Sequence, residues 1–194
     1  MDNKYDLIIV GAGPSGVFLA YEMIKQNLNK KILLIEQGKS VENRTCPIEK
    51  RSECLKCKPM CNITTGFSGA GAFSDGKLSL YNEEDDDIYV GGELQKYIGV
   101  EETKRLIDYT DKIYLEFGAE PNLEGIEHKE EIEKIVKKAK KNDLHLINIP
   151  IRHLGTEKSH ELYGRIEKYI TDNGVEILFD TTNYLRIFEN GVSI

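Results

Sequence analysis

Residues 6–36 constrain this chain more than any other stretch. Asp6-Leu7-Ile8-Ile9-Val10 leads into Gly11-Ala12-Gly13-Pro14-Ser15-Gly16, and the segment ends at Ile32-Leu33-Leu34-Ile35-Glu36. The first apolar run suits a short strand covered on both faces, and the glycines follow at the G-x-G-x-x-G spacing. Gly11 permits a tight turn, Gly13 leaves room for a pyrophosphate to approach the backbone, and Gly16 lets a helix pack close to the strand. Val17, Phe18, Leu19, Ala20, Met23 and Ile24 carry that helix to about Gln26. The helix N-terminus is an anion site, favouring phosphate by ~0.3–1 kcal/mol, or ~2 kcal/mol when partly buried. Glu36 follows the last glycine by about twenty residues, where a carboxylate accepts hydrogen bonds from ribose hydroxyls and repels a 2′-phosphate. Strand, glycines, helix, second strand and acid are all in register, so the segment reads as a dinucleotide-binding βαβ unit within an α/β fold.

The chain has 194 residues, 40% hydrophobic and 30% charged, enough for one substantial folded domain. Its net charge of −7 disfavours a general nucleic-acid binder, which needs a basic surface. The apolar runs are too short for a membrane span, and the N-terminus shows no signal-peptide pattern, so the expectation is a cytoplasmic protein. Arg44, Lys50, Arg51, Lys56 and Lys58 make residues 44–58 locally basic, while Glu83-Glu84-Asp85-Asp86-Asp87 reads as a solvated acidic loop.

All four cysteines, Cys46, Cys54, Cys57 and Cys61, fall within residues 37–62, which overlap that basic segment, with the spacing C-x7-C-x2-C-x3-C. A reducing compartment argues against two structural disulfides. Four thiolates suit one tetrahedral zinc or an iron–sulfur cluster, although the spacing matches neither a zinc ribbon nor the bacterial ferredoxin run. The neighbouring cations lower thiol pKa values and offset the charge of a tetrathiolate. A metal or cluster at these four residues is the leading expectation, with redox-active thiols and thiols that only line a loop as the other readings. A second glycine-rich stretch follows at residues 66–78, with small residues that leave backbone N–H groups accessible and with Phe67, Phe73 and Leu78, which are odd choices for an exposed linker.

Beyond it, periodicity predicts helices over 100–118 and 128–142, a strand over 144–151, a helix from Thr156 to Asn173-Gly174, a strand over 175–179, and a hairpin of 184–188 with 192–194 around Asn190-Gly191. The organisation expected is a single domain over 1–194, with a cysteine- and glycine-rich loop at 38–80 and a mainly helical insertion at about 95–150. The last residues form an apolar strand, and a doubly wound nucleotide domain needs further strands, so the expectation is the N-terminal portion of a longer protein.

The residues Gly11-Ala12-Gly13-Pro14-Ser15-Gly16, Glu36 and Gly69-Ala70-Gly71-Ala72-Phe73-Ser74-Asp75-Gly76-Lys77-Leu78 resemble bacterial FAD-dependent dehydrogenases of the geranylgeranyl-reductase-like class. Arg152-His153-Leu154-Gly155-Thr156, the helix after it, and Gly174-Val175-Glu176-Ile177 extend the likeness over most of the chain. The resemblance implies a Rossmann-like FAD/NAD(P)-binding domain in which Gly11, Gly13, Pro14, Ser15 and Gly16 hold the pyrophosphate of FAD and Glu36 the adenosine ribose. It further implies that Arg44 contacts the cofactor and that Gly69, Gly71, Ser74, Gly76 and Lys77 line the flavin or its ribityl chain. Two departures stand out: the late glycine–aspartate motif that closes the FAD site is absent, and the cysteine cluster is not found in every relative. An FAD-dependent oxidoreductase is therefore expected, with hydride or electron transfer performed at the flavin. His153 and Lys77 are the candidate side chains for proton handling, and neither is assigned a catalytic role. The alternatives are an NAD-linked dehydrogenase on the same βαβ unit, and an electron-transfer or metal-binding module working through the cysteines. The residues name no substrate and no redox partner.

Overall fold

A computed structural model describes residues 4–48, 53–73, 76–82, 90, 93–182, 186–188 and 191–193. Two compact units divide the chain: Met1–Ser74 with Ser159–Ile194, and Asp75–Lys158.

The first unit holds the predicted βαβ. Strand β1, Leu7–Val10, pairs in parallel with β2, Ile32–Ile35, in the register Leu7↔Ile32 to Val10↔Ile35. Every residue of β2 is buried, as expected for a central strand of a parallel sheet covered on both faces. On its other side β2 pairs in parallel with β5, Glu176–Leu178, giving the order β1-β2-β5. Among the described residues β1 pairs on one side, with β2, and Val10 is 57% exposed, so the expectation of a strand buried on both faces is not met at its carboxyl end. Helix α1, Pro14–Lys25, starts with its proline at the first turn and turns Gly16, Val17, Ala20 and Tyr21 inward. Proline is accommodated there because no intrahelical N–H bond is lost.

Helix α5, Thr156–Asp172, buries Leu162, Tyr163, Ile166 and Ile170, the repeat of a helix with one apolar face. Its Tyr169 ring lies 5.6 Å from that of Tyr21 on α1. The same helix grips the short 3-10 turn Val41–Asn43: Glu167 accepts the Val41 N–H at 2.8 Å and His160 Nε2–H donates to the Val41 carbonyl at 2.9 Å. Strands β6, Arg186–Phe188, and β7, Gly191–Ser193, pair antiparallel as the predicted hairpin, although Tyr184, Asn190 and Ile194 lie outside the described residues.

The second unit carries helices α2, Leu94–Ile98, α3, Val100–Glu116, and α4, Lys129–Lys140, together with an antiparallel pair of β3, Lys77–Ser79, and β4, Ile151–His153. Its strongest fixed point is Arg152, which is buried and forms a fork on Asp111 of α3, with Nε to Oδ1 at 2.5 Å and NH2 to Oδ2 at 2.7 Å. Its NH1 group donates to the Glu120 carbonyl and, at 3.4 Å, to the Asn122 carbonyl. The strand predicted over 144–151 is confined to Ile151–His153, because Leu144, Leu146 and Ile147 are exposed rather than packed. Helix α4 forms where its periodicity predicts, yet no residue of it is fully buried and Ile135 is 55% exposed.

Candidate functional site

The turn after β1 is built around three glycines with three different constraints. Gly11 adopts φ +96° and donates its N–H to the Ile35 carbonyl at 2.7 Å, which ties the turn to β2. A Cβ on Gly16 would stand 2.0 Å from the Gly11 carbonyl oxygen, so only glycine allows α1 this close to the strand. A Cβ on Gly13 would meet nothing within 4 Å. Packing within the chain therefore does not require glycine at position 13, and the space above it is open. Gly13 is the N-cap residue of α1 and its carbonyl accepts the Val17 N–H at 3.0 Å, so the N–H groups of Ser15 and Gly16 lie ahead of the helical ladder. Pro14 and Ser15 are exposed beside them.

Glu36 stands just past the end of β2, only 5% exposed. One carboxylate oxygen accepts the Ala12 N–H and the other the Gly38 N–H, each at 2.8 Å. A carboxylate has about four acceptor positions, so these bonds orient the group without exhausting it. It lines a cavity of about 300 Å³ with Val10, Gly11, Gln37, Thr181 and Thr182, at the carboxyl ends of β1 and β2. Ligands of open α/β sheets bind at this end of the strands. Thr181 and Thr182 were not singled out in the sequence, because nothing in their local pattern distinguishes them from other loop threonines.

The second glycine-rich stretch comes directly onto this turn. Phe67 N–H donates to Lys39 O at 2.9 Å and Ser68 N–H to Ala12 O at 2.6 Å, while a Cβ on Gly69 would lie 3.9 Å from Pro14 Cδ. The Ser68 side chain is fully buried, and its hydroxyl has no hydrogen-bond partner among the described residues. Gly71 faces α5 instead: its carbonyl accepts the Ser159 hydroxyl at 3.0 Å, and an added Cβ would be 3.3 Å from the Tyr163 hydroxyl oxygen. Gly76 and Lys77 belong to the second unit, where the Gly76 carbonyl accepts the Leu154 N–H and Lys77 opens β3. Ser74 lies outside the described residues, as do Lys50, Arg51 and the acidic run at 83–87.

Arg44 is buried beneath the loop that precedes the second glycine-rich stretch. It is 1% exposed and donates from Nε to Asn62 O at 2.7 Å, from NH1 to Phe67 O at 2.6 Å and from NH2 to Ile63 O at 2.6 Å, with its guanidinium 4.6 Å from the Phe73 ring centroid. Burial lowers its pKa, opposed by the charge of Glu36. Its fork binds three loop carbonyls and so organises residues 62–67.

Cys46, Cys54, Cys57 and Cys61 are free thiols that share one cavity of about 340 Å³. The expectation of a zinc or iron–sulfur site at these residues is not met: among the described residues no group of three or more His, Cys, Asp or Glu side chains is arranged to hold a metal ion. His153 and Lys77, the two candidates for proton handling, are register partners across β3 and β4, and His153 Nδ1 lies 3.2 Å from Glu124 Oε1.

These features define a mixed α/β chain built on a parallel sheet, with a glycine turn and an acid at the strand ends. No family model matches it. A protein of Clostridium beijerinckii (strain ATCC 51743 / NCIMB 8052), described as an uncharacterized protein, is 28% identical over 174 residues, covering 80% of this chain and 32% of that protein. The chain therefore spans about a third of the length of the curated relative it matches. Among solved structures, it is similar to the 3-ketosteroid-delta4-(5alpha)-dehydrogenase of Rhodococcus jostii RHA1, with 14% identity, a TM-score of 0.48, and coverage of 95% of this chain and 38% of that one. It is also similar to the L-amino acid deaminase of Proteus vulgaris, with 13% identity, a TM-score of 0.42, and coverage of 100% and 49%. THI4 of Thermovibrio ammonificans gives 12% identity, a TM-score of 0.39, and coverage of 97% and 44%. Among the described residues, no helix is long and apolar enough to cross a membrane.

Proposed function

We propose that this chain is the dinucleotide-binding part of an FAD-dependent oxidoreductase. The observation that carries the reading is the open space at Gly13, bordered by the free N–H end of α1 and followed along the strand ends by the cavity that Glu36 lines. A pyrophosphate fits the first feature because backbone N–H groups and the helix dipole favour an anion there. A ribose fits the second because Glu36 is held by two amides with acceptor positions remaining. The sequence likeness to flavoproteins of the geranylgeranyl-reductase-like class favours FAD over NAD, and so does the second glycine-rich segment, whose Ser68 and Gly69 sit against Ala12 and Pro14. Ser68, whose buried hydroxyl has no partner among the described residues, is the residue of that segment best suited to a ligand contact.

Bound FAD would supply hydride or electron transfer, and the protein's part is to bind, orient and tune it. Ser15 and Gly16 would hold phosphate oxygens through N–H groups, Gly13 would keep the approach clear, and Glu36 would fix the ribose. The test is purification of the chain followed by a visible spectrum and thermal melts with added FAD or NAD. Flavin absorbance, or a rise in Tm with FAD that is absent in Gly13→Val, is the expected result. A rise with NAD alone would replace FAD by NAD, and no response to either would overturn the reading.

A further inference from the structure

We propose that Cys61 is a nucleophilic thiol that, with a second cysteine of the same cavity, carries out thiol–disulfide exchange on a small disulfide. The inference is independent of dinucleotide binding. Cys61 is exposed and heads a tight turn in which Thr64 N–H and Thr65 N–H both reach its carbonyl, at 3.2 and 3.0 Å. The backbone at Ile63 and then Thr64 holds its thiol below the ordinary value, with the Thr64 hydroxyl and Arg44 adding to the effect and desolvation opposing it. The turn is not free to relax, because Arg44 binds the Asn62 and Ile63 carbonyls from within. An exposed thiol on a fixed turn, in a cavity shared with three other cysteines and two lysines, is the environment of a reactive cysteine.

Three further thiols, Cys46, Cys54 and Cys57, line the cavity that Cys61 lines, with Lys56 and Lys58 among them. The lysines favour thiolates and attract an anionic disulfide, such as one bearing carboxylates. In the first step the Cys61 thiolate attacks one sulfur of the substrate; an S–S bond forms as the substrate S–S bond breaks, and a thiolate leaves and takes up a proton. In the second, a neighbouring cavity thiol loses its proton and attacks Cys61 Sγ. The remaining substrate half leaves as thiol, and an internal disulfide stays on the protein. Two protein thiols are oxidised and one small disulfide is reduced to two thiols, so electrons and protons balance.

The test uses the full chain, reduced and analysed for metal. Limiting iodoacetamide near neutral pH, followed by peptide mass mapping, should label Cys61 on the order of tenfold faster than Cys54 or Cys57. Oxidised glutathione should then give a mixed disulfide at Cys61 that converts to an internal disulfide, and Cys61→Ser should lose both products while melting like the parent chain. Equal labelling of the exposed thiols, a mixed disulfide at Cys61 that persists, or stoichiometric zinc or iron that shields all four cysteines would each overturn the proposal.

Discussion

The Ser68 amide donates to the Ala12 carbonyl at 2.6 Å, and this bond joins the two glycine-rich stretches of the chain. The adjacent Ser68 hydroxyl, buried without a partner among the described residues, is left as a cost in the protein alone. Ser68→Ala should therefore stabilise the cofactor-free chain by about 1 kcal/mol, since an unpaired buried hydroxyl is unfavourable. At saturating FAD the gain should shrink or reverse. Paired urea titrations with and without FAD measure both quantities.

Gly13 and Gly16 belong to one motif but should differ in their response to the same small change. Gly16→Ala puts a methyl 2.0 Å from a backbone oxygen and should destabilise the fold by about 2–3 kcal/mol. Gly13→Ala meets nothing within 4 Å and should leave Tm within a degree or two of the parent, as expected for a change below about 0.5 kcal/mol. Thermal melts without cofactor make the comparison.

Replacing Arg44 should loosen the loop it holds. Arg44→Met leaves the Asn62, Ile63 and Phe67 carbonyls without their donor and should cost about 3–5 kcal/mol. Arg44→Lys should recover only part of this, because an ammonium lacks the planar fork that reaches all three. Denaturant midpoints and the rate of proteolysis within residues 53–65 report the two effects.

Glu167 gives a pH signature. Burial raises its pKa above the ordinary 4.5, the Val41 N–H bond opposes that, and Glu42 adds to it. The folded state thus holds this proton more tightly than the unfolded state. Its contribution is fully present below the unfolded pKa and is lost as pH rises through the folded one. Glu167→Gln keeps an acceptor for Val41 N–H and removes the titration. The stability of the variant relative to the parent should therefore increase as pH rises from 4.5 upward. Urea midpoints across that range provide the check.

In the second unit, Asp111→Asn removes the charge beneath Arg152 and should cost about 3 kcal/mol, since a buried cation is left without its counter-ion. In the variant the guanidinium still stays charged, because its intrinsic basicity keeps it protonated in proteins, and it cannot escape the cost by losing a proton. Chemical denaturation of the parent and variant measures the loss.

What the sequence made legible follows from which residues bury something. Helices α1, α3 and α5 lie where their apolar repeats predict because Val17, Ile113 and Ile166 are each buried. The alternation at 144–151 misled because Leu144 and Leu146 have no layer to pack against, and a pattern alone does not say whether its apolar face is covered. The βαβ turn was readable since glycine spacing is itself a backbone constraint. Arg44 was not, because its partners are main-chain carbonyls, a feature every residue shares and no side-chain pattern announces. The cysteines were visible as a cluster, while their common cavity depends on a turn fixed from beneath by that same arginine.

The parallel sheet draws its third strand from beyond an entire second unit, with Leu178 pairing to Ile35. Strand β2 therefore leaves the ribosome long before the partner on its far side exists, and its apolar edge must stay out of other pairings during that delay. Contacts this distant in sequence slow folding and lengthen the exposure of unpaired strands. Residues 75–158 can complete their own contacts first, so the vulnerable species during synthesis is an open two-stranded ribbon waiting for α5 and β5.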